Sequence, residues 1–189
     1  EGWGKEMWSH LRYAMMPAKA ANWVENLPTG PQAYWDDVDD DGYNELVMCN
    51  EKIFMVFESI GGRIVFIATS DGYVELGNFM VQYRGTEGDY NDDDHVGALT
   101  DKWYTYNSHD YSHDSYTVQI EEITSSYVQA KLTSWDGNIT KRVRLENGSH
   151  GFRATYNLQH GNTLYVRLGS LCPAVKNLLY YGEPALKQM

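Results

Sequence analysis

The chain has 189 residues, 42% of them hydrophobic and 22% charged, which is typical of a folded protein and excludes a disordered one. Its 26 Asp and Glu outnumber its 15 Lys and Arg, and this negative charge repels phosphate backbones and anionic lipid. We therefore expect neither nucleic acid nor a membrane surface as a partner. No apolar run in the sequence approaches the roughly 20 residues needed to span a bilayer.

The first thirty residues have helical periodicity, because their apolar side chains recur at spacings of three and four. Pro17 lies within this pattern and predicts a kink or a break into two helices, since proline removes a backbone donor. The proline- and glycine-containing stretch at residues 27–31 ends the pattern. We predict a helical segment over residues 1–30 and one domain over residues 31–189. The apolar positions of the helix are Trp3, Met7, Trp8, Leu11, Met15, Ala18, Ala21 and Val24.

An acidic loop at residues 37–45 predicts a calcium site. Calcium takes about six to eight oxygen ligands, and carboxylates at alternate positions of a tightly curled loop surround it well. Gly42 permits the turn, and five carboxylates in nine residues repel one another when no cation is bound. The alternative is an acidic surface turn. The expected ligands are Asp37, Asp39, Asp41, the carbonyl of Tyr43 and Glu45.

Short runs of β-branched and aromatic residues, separated by turn residues, follow the acidic loop. Several runs alternate between apolar and polar residues, and no helix of crossover length separates them. The pattern predicts a mostly β fold, an antiparallel two-layer β-sandwich with an N-terminal helical segment. The predicted strands are residues 45–49, 53–58, 63–68, 73–83, 116–123, 127–134, 139–146, 151–158 and 163–169.

The segment at residues 84–115 lacks this pattern, and we predict a long irregular loop there. It contains several of the chain's fifteen Tyr and six Trp residues. Exposed aromatic rings stack on sugar rings, whereas buried ones fill a core. The candidates for carbohydrate contact are Trp103, Tyr104 and Tyr106 in this loop and Trp135 at a turn tip, with Tyr111 expected to be exposed beside them.

The sequence contains no local catalytic motif, because it has no nucleophile elbow, phosphate-binding glycine loop or zinc signature. The acidic run at residues 89–95 lacks a turn glycine and is interpreted as a solvated loop. Cys49 and Cys172 are interpreted as buried free thiols.

Four stretches follow the helix in order: WDDVDDDGYNELV (residues 35–47), NEKIFMVFESIGGRI (50–64), HVGALTDK (95–102) and SLCP (170–173). This order resembles the region after the catalytic barrel in glycoside hydrolase family 57, which includes α-amylases, amylopullulanases and glucanotransferases. The resemblance implies a mutarotase-like supersandwich beside a barrel that would precede Glu1, so that the helix is a remnant of the link between them. No catalytic residue carries over. The residues that do carry over are the loop carboxylates Asp37, Asp39, Asp41 and Glu45 and the turn residues Gly61 and Gly62.

These observations favour a non-catalytic, calcium-stabilised accessory domain of a carbohydrate-active enzyme, whose partners are the catalytic barrel and an α-glucan. One alternative is a sugar mutarotase or epimerase, which needs a histidine acid and a carboxylate base. Its candidates are His95, His109 or His113 with Glu121. The other alternative is a calcium-stabilised interaction module without sugar affinity. Localisation stays open between extracellular and cytoplasmic.

Overall fold

The structure is a computed structural model that describes the backbone of residues 2–76, 97–167 and 172–173, and the side chains of residues 14–72 and 97–167. Its helix, α1, spans Gly2–Glu25 and continues through Pro17. Of the predicted kink or break at Pro17, the break into two helices does not occur. A proline inside a helix costs about 3 kcal/mol, and packing of the helix on a sheet offsets this cost.

In the part of the chain that the structure describes, six strands form an antiparallel sheet. They are β1 (Gln32–Asp36), β2 (Glu45–Cys49), β3 (Ile53–Glu58), β4 (Arg63–Thr69), β5 (Tyr73–Leu76) and β12 (Cys172–Pro173), in the order β1-β2-β3-β4-β5-β12. Gly61 and Gly62 form the turn between β3 and β4 with φ angles of 73° and 52°. A Cβ on Gly62 would lie 2.4 Å from the Tyr116 ring, so glycine is required there for space as well as conformation.

The other strands within the described ranges form a four-stranded antiparallel sheet and a two-stranded ribbon. The sheet contains β7 (Tyr116–Ile123), β8 (Tyr127–Ser134), β9 (Ile139–Glu146) and β10 (Phe152–Leu158), in the order β10-β9-β8-β7. The ribbon pairs β6 (Thr100–Tyr104) with β11 (Leu164–Arg167).

The two larger sheets share one hydrophobic cluster. Met48 and Met55 from the six-stranded sheet and Val128 and Val143 from the four-stranded sheet belong to it. A second cluster lies on the other face of the six-stranded sheet, where Trp23 of α1 packs near Phe54 with ring centroids 5.8 Å apart. Strands β2, β3 and β4 are buried throughout because they are covered on both faces, whereas β8 alternates.

The mostly β, antiparallel fold predicted from the sequence is confirmed. Strands β2, β3, β7, β8 and β9 have the predicted bounds. Three strands were missed, namely β1, β6 and β12, and β6 replaces part of the predicted irregular loop. The predicted strand extensions over residues 77–83 and 168–169 lie outside the described residues.

The buried face of α1 differs from the predicted one. Met16, Ala20 and Trp23 are buried on the sheet, while Ala18, Ala21 and Val24 are exposed. Trp23 decides this orientation, because its ring packs on the core and its Nε1–H donates to the carbonyl of Asn50 at 2.9 Å. Spacing alone could not separate two adjacent stripes of similar hydropathy.

Candidate metal centre and exposed aromatic surface

The acidic loop, residues 37–45, joins β1 to β2 and is folded by its own carboxylates. Asp37 accepts hydrogen bonds from the backbone N–H of Asp41 at 2.9 Å and of Gly42 at 3.0 Å. Glu45 accepts one from the N–H of Val38 at 2.9 Å. The chain curls tightly because Asp40 and Gly42 have φ angles of 60° and 88°, which Asp tolerates and Gly favours.

Three of the predicted ligands come together in this loop. Asp37, Asp39 and Glu45 each offer a carboxylate oxygen, and these oxygens lie within 4.8 Å of one another. Asp39 is 1% exposed and Glu45 is 3% exposed. Asp41 lies outside this group and accepts the N–H of Tyr43 at 2.8 Å instead. The group offers hard oxygen ligands of the kind that calcium prefers.

The electrostatics of the loop disfavour an ionised Glu45 in the absence of a cation. Burial raises the pKa of Glu45 to about 8, and although the Val38 N–H opposes this rise, the nearby Glu58, Asp39 and Asp41 add to it. Glu58, itself buried, belongs to this charged environment and was missed from the sequence. The pairing of β2 with β3 brings Glu58 to the loop, because the register Leu46↔Phe57 places Glu45 opposite Glu58. A prediction of this strand register would have identified Glu58.

An open pocket of about 410 Å³ lies beside the loop. The loop contributes Asp41, Tyr43, Asn44 and Glu45 to its lining, and the end of β3 contributes Glu58, Ser59 and Ile60. Tyr43 is 76% exposed, so its ring stands at the surface rather than in the core.

The aromatic candidates divide into exposed and buried residues. Trp103, Tyr106 and Trp135 are 40%, 46% and 65% exposed. Tyr104 and Tyr111 are fully buried, so their predicted exposure is wrong. Tyr104 lies in β6 rather than in a loop, and its hydroxyl donates to the carbonyl of His160 at 2.7 Å. This contact fixes the ring inside the protein, where no sugar can stack on it.

Trp135 is the most exposed of these candidates and is held by polar contacts. Its Nε1–H donates to Oδ2 of Asp114 at 3.2 Å, and Nε2 of His109 lies 2.5 Å from the same oxygen. A tryptophan face, a carboxylate and an imidazole therefore share one surface. Trp103 lies opposite the exposed Tyr165 in the ribbon. The sequence pattern predicts a loop in place of β6, so it does not predict this pairing.

The residues proposed for epimerase chemistry have separate partners. Glu121 is bound by Arg142 Nε at 2.9 Å and by Gln129 Nε2 at 2.8 Å on an exposed face of β7. These contacts lower the pKa of Glu121, the Arg142 hydrogen bond being the largest cause, which makes this carboxylate a poorer base. His109 contacts Asp114 instead.

Some sequence predictions fall where the structure gives no description. His95, the acidic run at residues 89–95 and the Cys172 side chain lie outside the described side chains. Cys49 is a buried free thiol as predicted, and burial raises its pKa to about 12. Among the described residues, no helix is both long and apolar enough to cross a membrane.

Comparison with protein families, with curated proteins and with solved structures gives no match. The resemblance to glycoside hydrolase family 57 therefore stays a prediction.

Proposed function

We propose that this chain is a calcium-stabilised, non-catalytic accessory domain of a carbohydrate-active enzyme that acts on α-glucans. The observation that carries the proposal is the meeting of Asp37, Asp39 and Glu45 within 4.8 Å, two of them buried, in a loop that leads into a core strand. A calcium ion there would offset the mutual repulsion of these carboxylates and fix the connection between β1 and β2.

The ion's role is structural in this proposal. The loop begins where β1 ends and finishes where the fully buried β2 begins, so an ordered loop positions the central strands. A metal that binds only the folded loop stabilises the folded state by mass action.

Contact with carbohydrate is the second part of the proposal. Trp135 presents an exposed aromatic face, and Asp114 and His109 beside it offer polar atoms to sugar hydroxyls. The catalytic barrel predicted from the family resemblance would be the partner of this domain within the same parent protein.

The epimerase alternative is less well supported, because Glu121 is held by Arg142 and Gln129 while His109 contacts Asp114. The third alternative, an interaction module without sugar affinity, differs from our proposal in one measurable property, namely glucan binding.

The test is calorimetric titration of the chain with maltooligosaccharides in calcium buffer. We expect weak but saturable binding that Trp135→Ala reduces at least tenfold, as loss of a stacking ring predicts. Ile123→Ala is the control. Ile123 is also exposed, but it lies at the far end of β7 from Tyr116, which pairs with Ser134 next to Trp135. Absence of binding to any glucan would contradict the carbohydrate part and favour the interaction module.

A further inference from the structure

The geometry points to a calcium-dependent sugar-binding pocket, formed by Tyr43, Asn44, Glu45, Glu58, Ser59 and Ile60, that receives one end of a neutral glucan chain. This inference rests on the proposed function and specifies where the sugar sits. It also adds residues that sequence reasoning did not assign, because the pocket is assembled from two strand ends that lie apart in the sequence.

The pocket has the size and the mixture of groups that a sugar requires. Its volume of about 410 Å³ falls within the range of roughly 300–1,000 Å³ found for small-molecule sites. Tyr43 offers an exposed aromatic ring at the pocket, and Asn44 and Ser59 are exposed polar residues in its lining. Sugar rings present apolar faces to aromatic rings and hydroxyls to polar atoms, so each class of lining residue has a matching group.

The charge of the pocket selects among ligands. Asp41 and Glu58 line it outside the proposed ligand group, and carboxylates repel anionic ligands such as phosphates and uronic acids. Sugar hydroxyls donate hydrogen bonds to carboxylates, and a neutral sugar carries no charge to be repelled. A neutral, polyhydroxylated ligand therefore fits better than an anionic one.

The pocket and the exposed Trp135 belong to one end of the molecule. Ile60 of the pocket pairs with Ser115, whose carbonyl accepts the N–H of Trp135 at 3.1 Å. The N–H of Gly61 donates to the carbonyl of Asp114 at 2.7 Å, and the Asp114 carboxylate holds the Trp135 ring. Backbone contacts therefore hold the segment that lines the pocket against the segment that carries Trp135.

Calcium and sugar are linked because the acidic loop belongs to both sites. Glu45 is a predicted calcium ligand and also lines the pocket, and Tyr43 and Asn44 stand on the same loop. Loss of the ion would release the loop that carries the aromatic ring and two polar residues. Sugar affinity should then fall with calcium removal even though the ion need not touch the sugar.

The experiment is titration of maltotriose into the intact chain in millimolar calcium and in chelator, with Tyr43→Ala and Ser59→Phe as variants. Tyr43→Ala removes the ring but keeps the backbone carbonyl predicted to bind calcium, and Ser59→Phe fills the pocket. We expect each variant to weaken binding at least tenfold while its melting temperature in calcium stays at the wild-type value. Ile123→Ala is the matched exposed control, and chelator should weaken wild-type binding at least tenfold.

The outcomes separate this inference from the proposed function. Unchanged binding by Tyr43→Ala and Ser59→Phe, with loss in Trp135→Ala, would overturn the pocket and leave the accessory-domain proposal standing. No binding by the wild type, with calcium stabilisation intact, would overturn both sugar sites and leave the calcium site. Equal affinity in calcium and in chelator would overturn the linkage between the two sites.

Discussion

Among the residues whose burial the structure describes, two regions bury carboxylates, and the groups around these carboxylates differ. Asp101 in β6 is fully buried, and its carboxylate lies 2.9 Å from Nζ of Lys141 and 2.5 Å from the hydroxyl of Tyr116. In the acidic loop, Asp39 and Glu45 are almost as buried, but their neighbours Asp37 and Glu58 are carboxylates as well. The first region takes its cation from the chain, and we propose that the second takes its cation from solution.

The comparison shows how burial alone fails to identify a site. Lys141 donates a hydrogen bond to the carboxylate of Asp101 inside the protein and another to the carbonyl of Leu99 at 2.7 Å. Such a pair contributes little net stability, but removal of one partner leaves an uncompensated buried charge. The acidic loop gathers three carboxylates in one place, and this is the arrangement for which we propose an external ion.

The largest effect is expected when the internal cation is removed. Lys141→Met leaves Asp101 buried without its ammonium, which costs about 3–5 kcal/mol. For a chain of this size the melting temperature should fall by about 6–20 °C. Thermal denaturation followed by circular dichroism measures this shift.

Lys131→Met provides the control for that prediction. Lys131 lies on β8, next to β9, and its side chain points away from the buried face. We expect the melting temperature of the Lys131→Met variant to stay near the wild-type value. Equal stability of the two variants would break the comparison, because Asp101 would then not need its cation.

Removal of calcium should have the next largest effect. Saturation of a site at about 100 times its dissociation constant stabilises the folded state by about 2.7 kcal/mol, so chelator should lower the melting temperature by about 5–10 °C. Asp39→Asn should abolish this difference. Asp40→Asn should preserve it, because Asp40 is exposed and lies outside the ligand group.

The dependence on pH should be smaller and of a definite sign. The pKa of Glu45 is raised to about 8 in the folded chain, above its ordinary value near 4.5, so the metal-free folded state binds more protons than the unfolded state between these limits. In chelator, stability should therefore fall as pH rises from 6 to 8.5, by about 4 °C. Glu45→Gln should remove most of this slope, and a slope of opposite sign would contradict the assignment.

The smallest effect is expected at an exposed ion pair. Arg142 and Glu121 lie 2.9 Å apart, but their side chains are 40% and 32% exposed. Exposed pairs add little, so Glu121→Gln should leave the melting temperature within about 2 °C of the wild type. A larger fall in melting temperature would indicate that an exposed ion pair also stabilises the protein. The contrast with the buried pair of Lys141 and Asp101 would then weaken.

Local patterns in the sequence predicted much of the fold. Alternation identified β8 and β9, and the glycines at 61 and 62 identified the turn after β3. Strand β6 was missed because its sequence, TDKWY, has no apolar alternation and its burial depends on β11, far along the chain. Long-range pairing of this kind leaves no local signal.

The candidate site was only partly predictable, because some of its contacts also depend on the pairing of distant segments. The spacing of Asp37, Asp39 and Glu45 within one loop predicted an acidic cluster, and the structure brings their oxygens together. Glu58 and Ser59 reach the pocket only through the pairing of β2 with β3. The burial of Tyr104 depends on His160, which is equally remote in sequence.

The most direct test of the central claim is to count the calcium bound to the chain. Equilibrium dialysis with elemental analysis should find one calcium per chain in the wild type and in Asp40→Asn, and none in Asp39→Asn. If the wild type holds no calcium at millimolar concentration, the acidic loop is a surface turn whose carboxylates are protonated or hydrated, and the proposed metal centre is wrong.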